Sequence, residues 1–335
     1  MSIVSAKMKP INERKVDLDM PIVVVTMSTG LQGNALIHHL SKTNKFKIRA
    51  LTRDVSSKSA LKLLNYPNVQ LVKADFLNKD SLENSFMDAY AIFGNTTPTK
   101  GWRLFRGSMV RDYEMKQGEN LIKAVRSVMK KGRLKHFIFS SVCHGLKQGL
   151  DNTIKVPSHF SSKWEIEAMI NQAGLDNLTT IIRPCSYFEN FYSDLPGIQI
   201  SPYIFPGVVK PESLWQTIAV EDIGAWATAI LMNPDRFLGE KLNLAGESLT
   251  GNQMTKILNG LLAREGKKAN YFMLPRPLLN LLEHDIAVMA DWIENSGYAA
   301  NIPELRKLSN DLGLEITSLY SWLKSKLYMS PVFSN

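Results

Sequence analysis

The stretch Ile22-Val-Val-Val-Thr26-Met-Ser-Thr-Gly30-Leu-Gln-Gly33 decides the fold. Its first residues are β-branched without a polar alternation, the signature of a strand buried on both faces, as in parallel sheets covered by helices. Gly30 and Gly33 follow, and Asn34–Ser41 then sets Ala35, Leu36, Ile37 and Leu40 at helical spacing. Glycines between such a strand and helix let backbone N–H groups approach a pyrophosphate, while the helix N-terminus stabilises its negative charge. A tight strand-to-helix turn also wants glycine for its own geometry, so the pair alone does not separate the two readings. Three residues before Gly30, where a further glycine would complete the turn, stands Met27.

Outward from this turn, strand and helix patterns alternate. Phe46–Thr52, Val69–Ala74, Ala91–Asn95, His136–Val142 and Leu178–Arg183 read as strands. Ser56–Leu64, Gly107–Lys131 and Ser161–Ala173 read as helices, and Asp80-Ser-Leu-Glu83 has the form of a capping box for a helix reaching about Tyr90. This rhythm predicts an α/β protein with a Rossmann-type doubly wound parallel sheet. Beyond Pro184 the rhythm loosens: Phe188–Pro211 is rich in Pro and Gly, Leu214–Met232 reads as helix, Lys241–Ala245 as strand, and Thr250–Arg264 and Pro277–Glu294 as helices. The expected organisation is a loose leader over 1–20, a nucleotide domain over 21–185 and a smaller α+β substrate lobe over 186–330, with no internal repeat.

The 335 residues, 44% hydrophobic and 21% charged, are enough for a substantial core and exclude wholesale disorder. Two cysteines cannot build a disulfide framework or a four-thiolate zinc site. The six His and scattered carboxylates lack ligand spacings such as His-Glu-x-x-His, so no metal is expected. No apolar run approaches the ~20 residues that span a bilayer, and the first twenty residues lack a signal core. The expectation is a soluble cytoplasmic protein, or a nuclear one in a eukaryote. Net charge is +9, but residues 1–150 hold 25 Lys and Arg against 11 Asp and Glu. A positive field over that half attracts anions. The basic segment Lys123, Arg126, Lys130, Lys131, Arg133 and Lys135 lacks interleaved aromatics to stack bases and reads as a solvated helix face, not a nucleic-acid site.

Arg53 ends the second strand twenty residues after Gly33. An acidic residue there would bond the ribose 2′-hydroxyl of NAD, whereas Arg suits the 2′-phosphate of NADP. Asp54 is adjacent, and Lys58 is a second candidate phosphate contact.

Thr29-Gly-Leu-Gln-Gly33, Arg49-Ala-Leu-Thr-Arg53, Ala74-Asp-Phe-Leu-Asn-Lys-Asp-Ser-Leu82, His136-Phe-Ile-Phe-Ser-Ser141, His159-Phe-Ser-Ser-Lys163 and Arg183-Pro-Cys-Ser-Tyr-Phe-Glu-Asn190 occur in order. Together, over about residues 20–325, they resemble the NmrA-like family, an atypical branch of the short-chain dehydrogenases. The resemblance implies a Rossmann fold that binds NADP(H), and Arg53 favours NADP(H) over NAD(H). It assigns to the cofactor Thr29, Gly30, Leu31, Gln32 and Gly33 at the turn, Asp75 and Phe76 on the adenine side, and Asn95, Thr96, Thr97 and Pro98 along the groove. Cys185, Tyr187, Phe188 and Asn190, after the sixth strand where the nicotinamide half meets the substrate lobe, complete the expected cofactor contacts; Tyr187 and Phe188 could cover the nicotinamide or equally be packing.

Active short-chain dehydrogenases place a Ser after the fifth strand and a Tyr-x-x-x-Lys on the next helix. Ser141 and Lys163 occupy the matching positions, Lys163 there as a cofactor contact at the nicotinamide ribose, but the Tyr position is His159. His could donate a proton near neutral pH, although a Lys four residues along disfavours its charged form. In the family this His-Phe-x-x-Lys stretch accompanies lost or weak catalysis. Cys143 and Cys185 read as buried and inert rather than redox-active. The leading expectation is an NADP(H)-binding redox sensor or regulator acting on a protein partner. The alternatives are an NADPH-dependent reductase of a small carbonyl or quinone, and a cofactor-free scaffold in which Met27 blocks the turn.

Overall fold

The computed structural model describes residues 20–97, 108–146, 153–191 and 204–329. Residues 1–19 of the expected 1–20 leader, Pro98, Gly107 and residues 192–203 of the Pro- and Gly-rich stretch lie outside them. The strands are β1 (Ile22–Val25), β2 (Lys47–Thr52), β3 (Val69–Lys73), β4 (Ala89–Asn95), β5 (His136–Ser140), β6 (Thr179–Pro184), β7 (Ser186–Tyr187), β8 (Ile204–Gly207), β9 (Leu214–Ile218), β10 (Lys241–Leu244), β11 (Glu247–Thr250) and β12 (Asn270–Met273). Seven of them form one parallel sheet in the order β10-β6-β5-β4-β1-β2-β3. The chain runs outward one way from β1 to β3, then returns to β4 on the other side of β1. The crevice beyond the carboxyl ends of β1 and β4 is therefore the topological switch point, where open α/β sheets bind ligands.

The helices are α1 (Leu31–Thr43), α2 (Lys58–Leu61), α3 (Lys79–Phe86), α4 (Ser108–Met129), α5 (Ser158–Gln172), α6 (Val220–Met232), α7 (Pro234–Phe237), α8 (Gly251–Leu262), α9 (Arg276–Leu282), α10 (His284–Asn295), α11 (Ile302–Asp311) and α12 (Leu319–Met329). The β-branched run of β1 buries both ways, as its composition requires. Val23 and Val25 join a cluster with Leu36, Ile37 and Leu40 of α1 and Ile223, Trp226 and Ile230 of α6. Val24 faces Leu121 and Val125 of α4 and Ile166 and Ile170 of α5. α1 and α6 touch backbone to backbone: a Cβ on Gly224 would lie 2.4 Å from the carbonyl carbon of Ala35, so only glycine permits this approach.

Several local expectations are corrected. The cap of α3 is Asn78, whose side chain accepts from the Ser81 N–H at 3.0 Å; Asp80 lies inside the helix and Glu83 turns to Ser127. The helix stops at Phe86, because Asp88 takes a left-handed φ of 61° before β4. Leu214–Ile218 is a strand with Trp215 and Thr217 alternately buried, paired antiparallel with β11; helix begins only at Val220. The segment Pro277–Glu294 is two helices broken at extended Glu283.

The expected boundary at 185 does not separate two bodies. α6 packs on α1, and β10 pairs with β6 in the main sheet. One continuous core contains Val23 and Leu36 together with Trp215, Leu258 and Trp322. What remains of the second lobe is the β11-β9-β7 sheet, the β12-β8 pair and helices α8 to α12. Three residues of the basic segment have acidic partners: Lys123 meets Glu119 at 3.5 Å, Lys131 meets Glu83 at 3.8 Å and Arg133 meets Asp88 at 3.3 Å. Among the described residues no helix is long and apolar enough to cross a membrane.

Candidate functional site: a groove at the carboxyl edge of the sheet

The turn after β1 is held from below. Ser28 donates its hydroxyl to the Leu51 carbonyl at 2.8 Å, and Asn95 N–H donates to Thr26 Oγ1 at 3.0 Å. The left-handed residue of the turn is Met27, with φ 48°, whereas Gly30 is extended at φ −82°. Gly33 is required by packing, since a Cβ there would come within 2.5 Å of the Met27 carbonyl oxygen. Gly30 caps α1 with no side-chain hydrogen bond, and the first turn carries no acidic residue. Thr29, Gly30 and Leu31 are exposed, while Gln32 and Gly33 are buried. The first amides of a thirteen-residue helix thus face the crevice uncapped and without a competing carboxylate, which fits an anionic phosphate.

At the end of β2 the two charged neighbours have different employment. Asp54 Oδ1 accepts from the Ser56 N–H at 2.8 Å and hydroxyl at 2.6 Å, and these bonds hold its carboxyl below the usual range. Arg53 and Lys58 are exposed, and Arg53 has no ion pair among the described residues. The adjacent carboxylate is spent on its own turn; the guanidinium is available. Asp75 is exposed beyond β3 and accepts the Leu77 N–H at 2.9 Å. Phe76 is turned inward: its ring belongs to the core and its carbonyl accepts from Asn120 at 2.8 Å.

Lys163, on α5, is held by several oxygens. Its ammonium donates to Asn95 Oδ1 at 2.8 Å, the Thr96 carbonyl at 2.5 Å and Thr96 Oγ1 at 2.9 Å, and stands 3.2 Å from Glu114 Oε1. Glu114 is wholly buried and also accepts from the Thr96 hydroxyl at 2.9 Å and the Ser162 hydroxyl at 2.6 Å. Burial lowers the Lys163 pKa while Glu114 works to raise it. Three ammonium protons face four protein oxygens, so this lysine is fully committed. Thr97, exposed, is fixed through backbone bonds to Gln117.

Gln32 ties the turn to the opposite rim, donating to Tyr187 Oη at 2.6 Å and accepting from Ser140 Oγ at 2.7 Å. Burial pushes the Tyr187 phenol up to about 12. The neighbouring Ser141 hydroxyl is buried with no partner among the described residues. His159, at the start of α5, gives Nδ1 to Asp285 of α10; the same carboxylate accepts the Ser158 N–H at 2.7 Å and hydroxyl at 2.6 Å. Phe188 is completely buried against Trp322, so it backs the groove from the core; Asn190 is exposed on the following turn. Cys143 and Cys185 are free, buried thiols; burial pushes Cys143 up to about 12 and Cys185 well above its usual value.

The sequence-derived residues Thr29–Gly33, Arg53, Asn95–Thr97, Ser141, Lys163 and Tyr187 gather along one edge. Glu114 and Asp285 were not anticipated. Glu114 had a legible signal, an acidic residue in register with Gln117 and Leu121 on the inward stripe of α4. Asp285 had none.

The profile of the NmrA-like family matches residues 20–329, nearly the whole described chain. The chain belongs to the NmrA-like family. A curated relative, the NmrA-like family domain-containing oxidoreductase lnbB of Aspergillus flavus, is 24% identical over 267 residues, 76% of each chain. Among solved structures, NmrA, a negative transcriptional regulator in complex with NAD, superposes with a TM-score of 0.70 at 19% identity, covering 91% of this chain and 94% of that one. The NADPH-dependent quinone oxidoreductase of Escherichia coli, complexed with NADPH, gives 0.67 at 19% identity over 91% and 99%. Both structures share the Rossmann-like fold of this chain, a mainly parallel sheet flanked by helices.

Proposed function

We propose that the protein binds NADP(H) along the carboxyl edge of its sheet and acts as a redox-responsive regulator with lost or weak dehydrogenase activity. The observation that carries this reading is the commitment of Lys163 to Asn95, Thr96 and Glu114, beside a histidine in the tyrosine position. In an active dehydrogenase the lysine lowers the pKa of that tyrosine and holds the nicotinamide ribose; here its protons are occupied and the tyrosine is missing. The turn amides from Thr29 to Gly33 would hold the pyrophosphate, Arg53 with Lys58 the 2′-phosphate, and Asp75 the adenine side. Asn95, Thr96, Thr97 and Tyr187 would line the remainder. The bound dinucleotide would supply hydride chemistry. The structural similarity to a NAD-bound transcriptional regulator and to an NADPH-bound quinone oxidoreductase supports the cofactor class.

The second reading is a reductase of a small carbonyl or quinone. The partnerless Ser141 hydroxyl favours it, as does His159 Nε2, which has no partner among the described residues while Asp285 holds the ring. Mass spectrometry of nucleotide released from the purified protein, followed by NADPH oxidation over a panel of quinones and carbonyls, separates the readings. The regulator reading expects bound NADP(H) and negligible turnover. Brisk turnover, lost in His159→Ala while NADPH still binds, overturns it.

A further inference from the structure

We propose that His38, His39 and Glu221 form a zinc-type divalent metal site clamping α1 to α6. Their ligand atoms all lie within 4.8 Å of one another. His38 Nδ1 contacts Glu221 Oε1, and His39 Nε2 stands 2.9 Å from the same oxygen. Consecutive residues on a helix diverge by about 100° and do not ordinarily meet at one point. These two converge because His38 uses the near ring nitrogen and His39 the far one. Two imidazoles and one carboxylate with an open fourth position form a donor set that zinc takes readily.

The surroundings favour a cation. His39 Nε2 is shielded from solvent and makes no well-aligned hydrogen bond although a carboxylate oxygen is beside it. Glu221 lies in the first turn of α6, where the helix dipole favours its ionised form. The scaffold is rigid, since Gly224 and Ala35 make their backbone approach within one turn of the donors. The donors have to part slightly to admit a metal, and Glu221, half exposed, has room to do so. Along α1 the cluster lies about 12 Å from Gly30 at 1.5 Å per residue, so it is distinct from the phosphate turn.

The test uses tag-free full-length protein stripped with chelator and titrated with ZnCl2 by calorimetry, and with Co2+ by visible absorption. The expected result is one equivalent of Zn2+ and the absorption of four-coordinate Co2+. Glu221→Gln and His38→Ala should each weaken zinc binding on the order of a hundredfold, while His284→Ala, a remote exposed histidine, leaves it unchanged. Glu221→Gln is near-isosteric and keeps the test usable should His38→Ala fold poorly. Absence of saturable one-equivalent binding, or binding that survives Glu221→Gln and His39→Ala, overturns the proposal.

Discussion

Asp285 reaches back across 126 residues to hold His159 Nδ1, and with the same carboxylate it binds the first amide of α5. One side chain thus caps the helix that carries Lys163 and fixes the ring in the dehydrogenase tyrosine position. Burial works to raise the Asp285 pKa, but the His159 and Ser158 bonds together hold it well below the carboxylate range. Its contribution is therefore present above the unfolded value near 4 and is lost as pH falls through the lower folded value. Asp285→Ala should lower stability by about 1–3 kcal/mol at pH 7, read by denaturant unfolding. Asp285→Asn, which keeps one of the two acceptor oxygens, should lose less.

The proposed preference for NADP(H) rests on Arg53. Asp54 is occupied by Ser56, so the free charge at the end of β2 is positive. Binding of NADPH should exceed that of NADH, and Arg53→Ala should remove about 1.5–3 kcal/mol of that difference. Calorimetry with both cofactors checks it; equal affinities in the parent protein would sink it.

Met27 carries the positive φ that a glycine would adopt freely. Met27→Gly should relieve about 1 kcal/mol of left-handed strain and tighten NADPH binding. Gly33→Ala is the opposite case: its Cβ has to displace the Met27 carbonyl and Ser28 Cα. That variant should lose NADPH binding and show a lower thermal midpoint.

His136 makes the fold acid-sensitive above the carboxylate range. The Thr180 hydroxyl donates to the Phe237 carbonyl at 2.5 Å, so His136 Nε2 is the donor in its 2.7 Å bond to Thr180. Nδ1 is buried without a partner, and burial lowers the ring pKa from 6.5 to about 4. The neutral form is the folded form. Stability should be complete above pH 6.5 and decline as pH falls toward 4, by about 3 kcal/mol at the lower end. Unfolding curves at pH 7.5, 5.5 and 4.5 measure it, and His136→Phe should flatten the response.

His159→Tyr restores the Ser-Tyr-Lys order with Ser141 and Lys163 but breaks the bond to Asp285. Cofactor affinity should remain nearly unchanged and reductase activity should be weak at most, because Lys163 stays bound to Glu114. Robust turnover in this variant would show that the lysine is not held.

The turn from Thr26 to Gly33, the two-faced burial of β1 and the strand-helix alternation up to β6 were legible in the sequence because each rests on interactions among near neighbours. Val23, Val24 and Val25 needed only both faces covered, and Gly33 needed only its own turn. The strand at Leu214–Ile218 was hidden because its apolar residues run straight into those of α6, and β11 decides its pairing. The return of β10 to the sheet, the Lys163–Glu114 pair, the Asp285 clamp and the meeting of His38 and His39 with Glu221 join residues 49 to 183 positions apart. Spacing along a chain carries no record of such meetings. They exist because the sheet closes, α6 docks on α1, and α10 comes to rest against the start of α5.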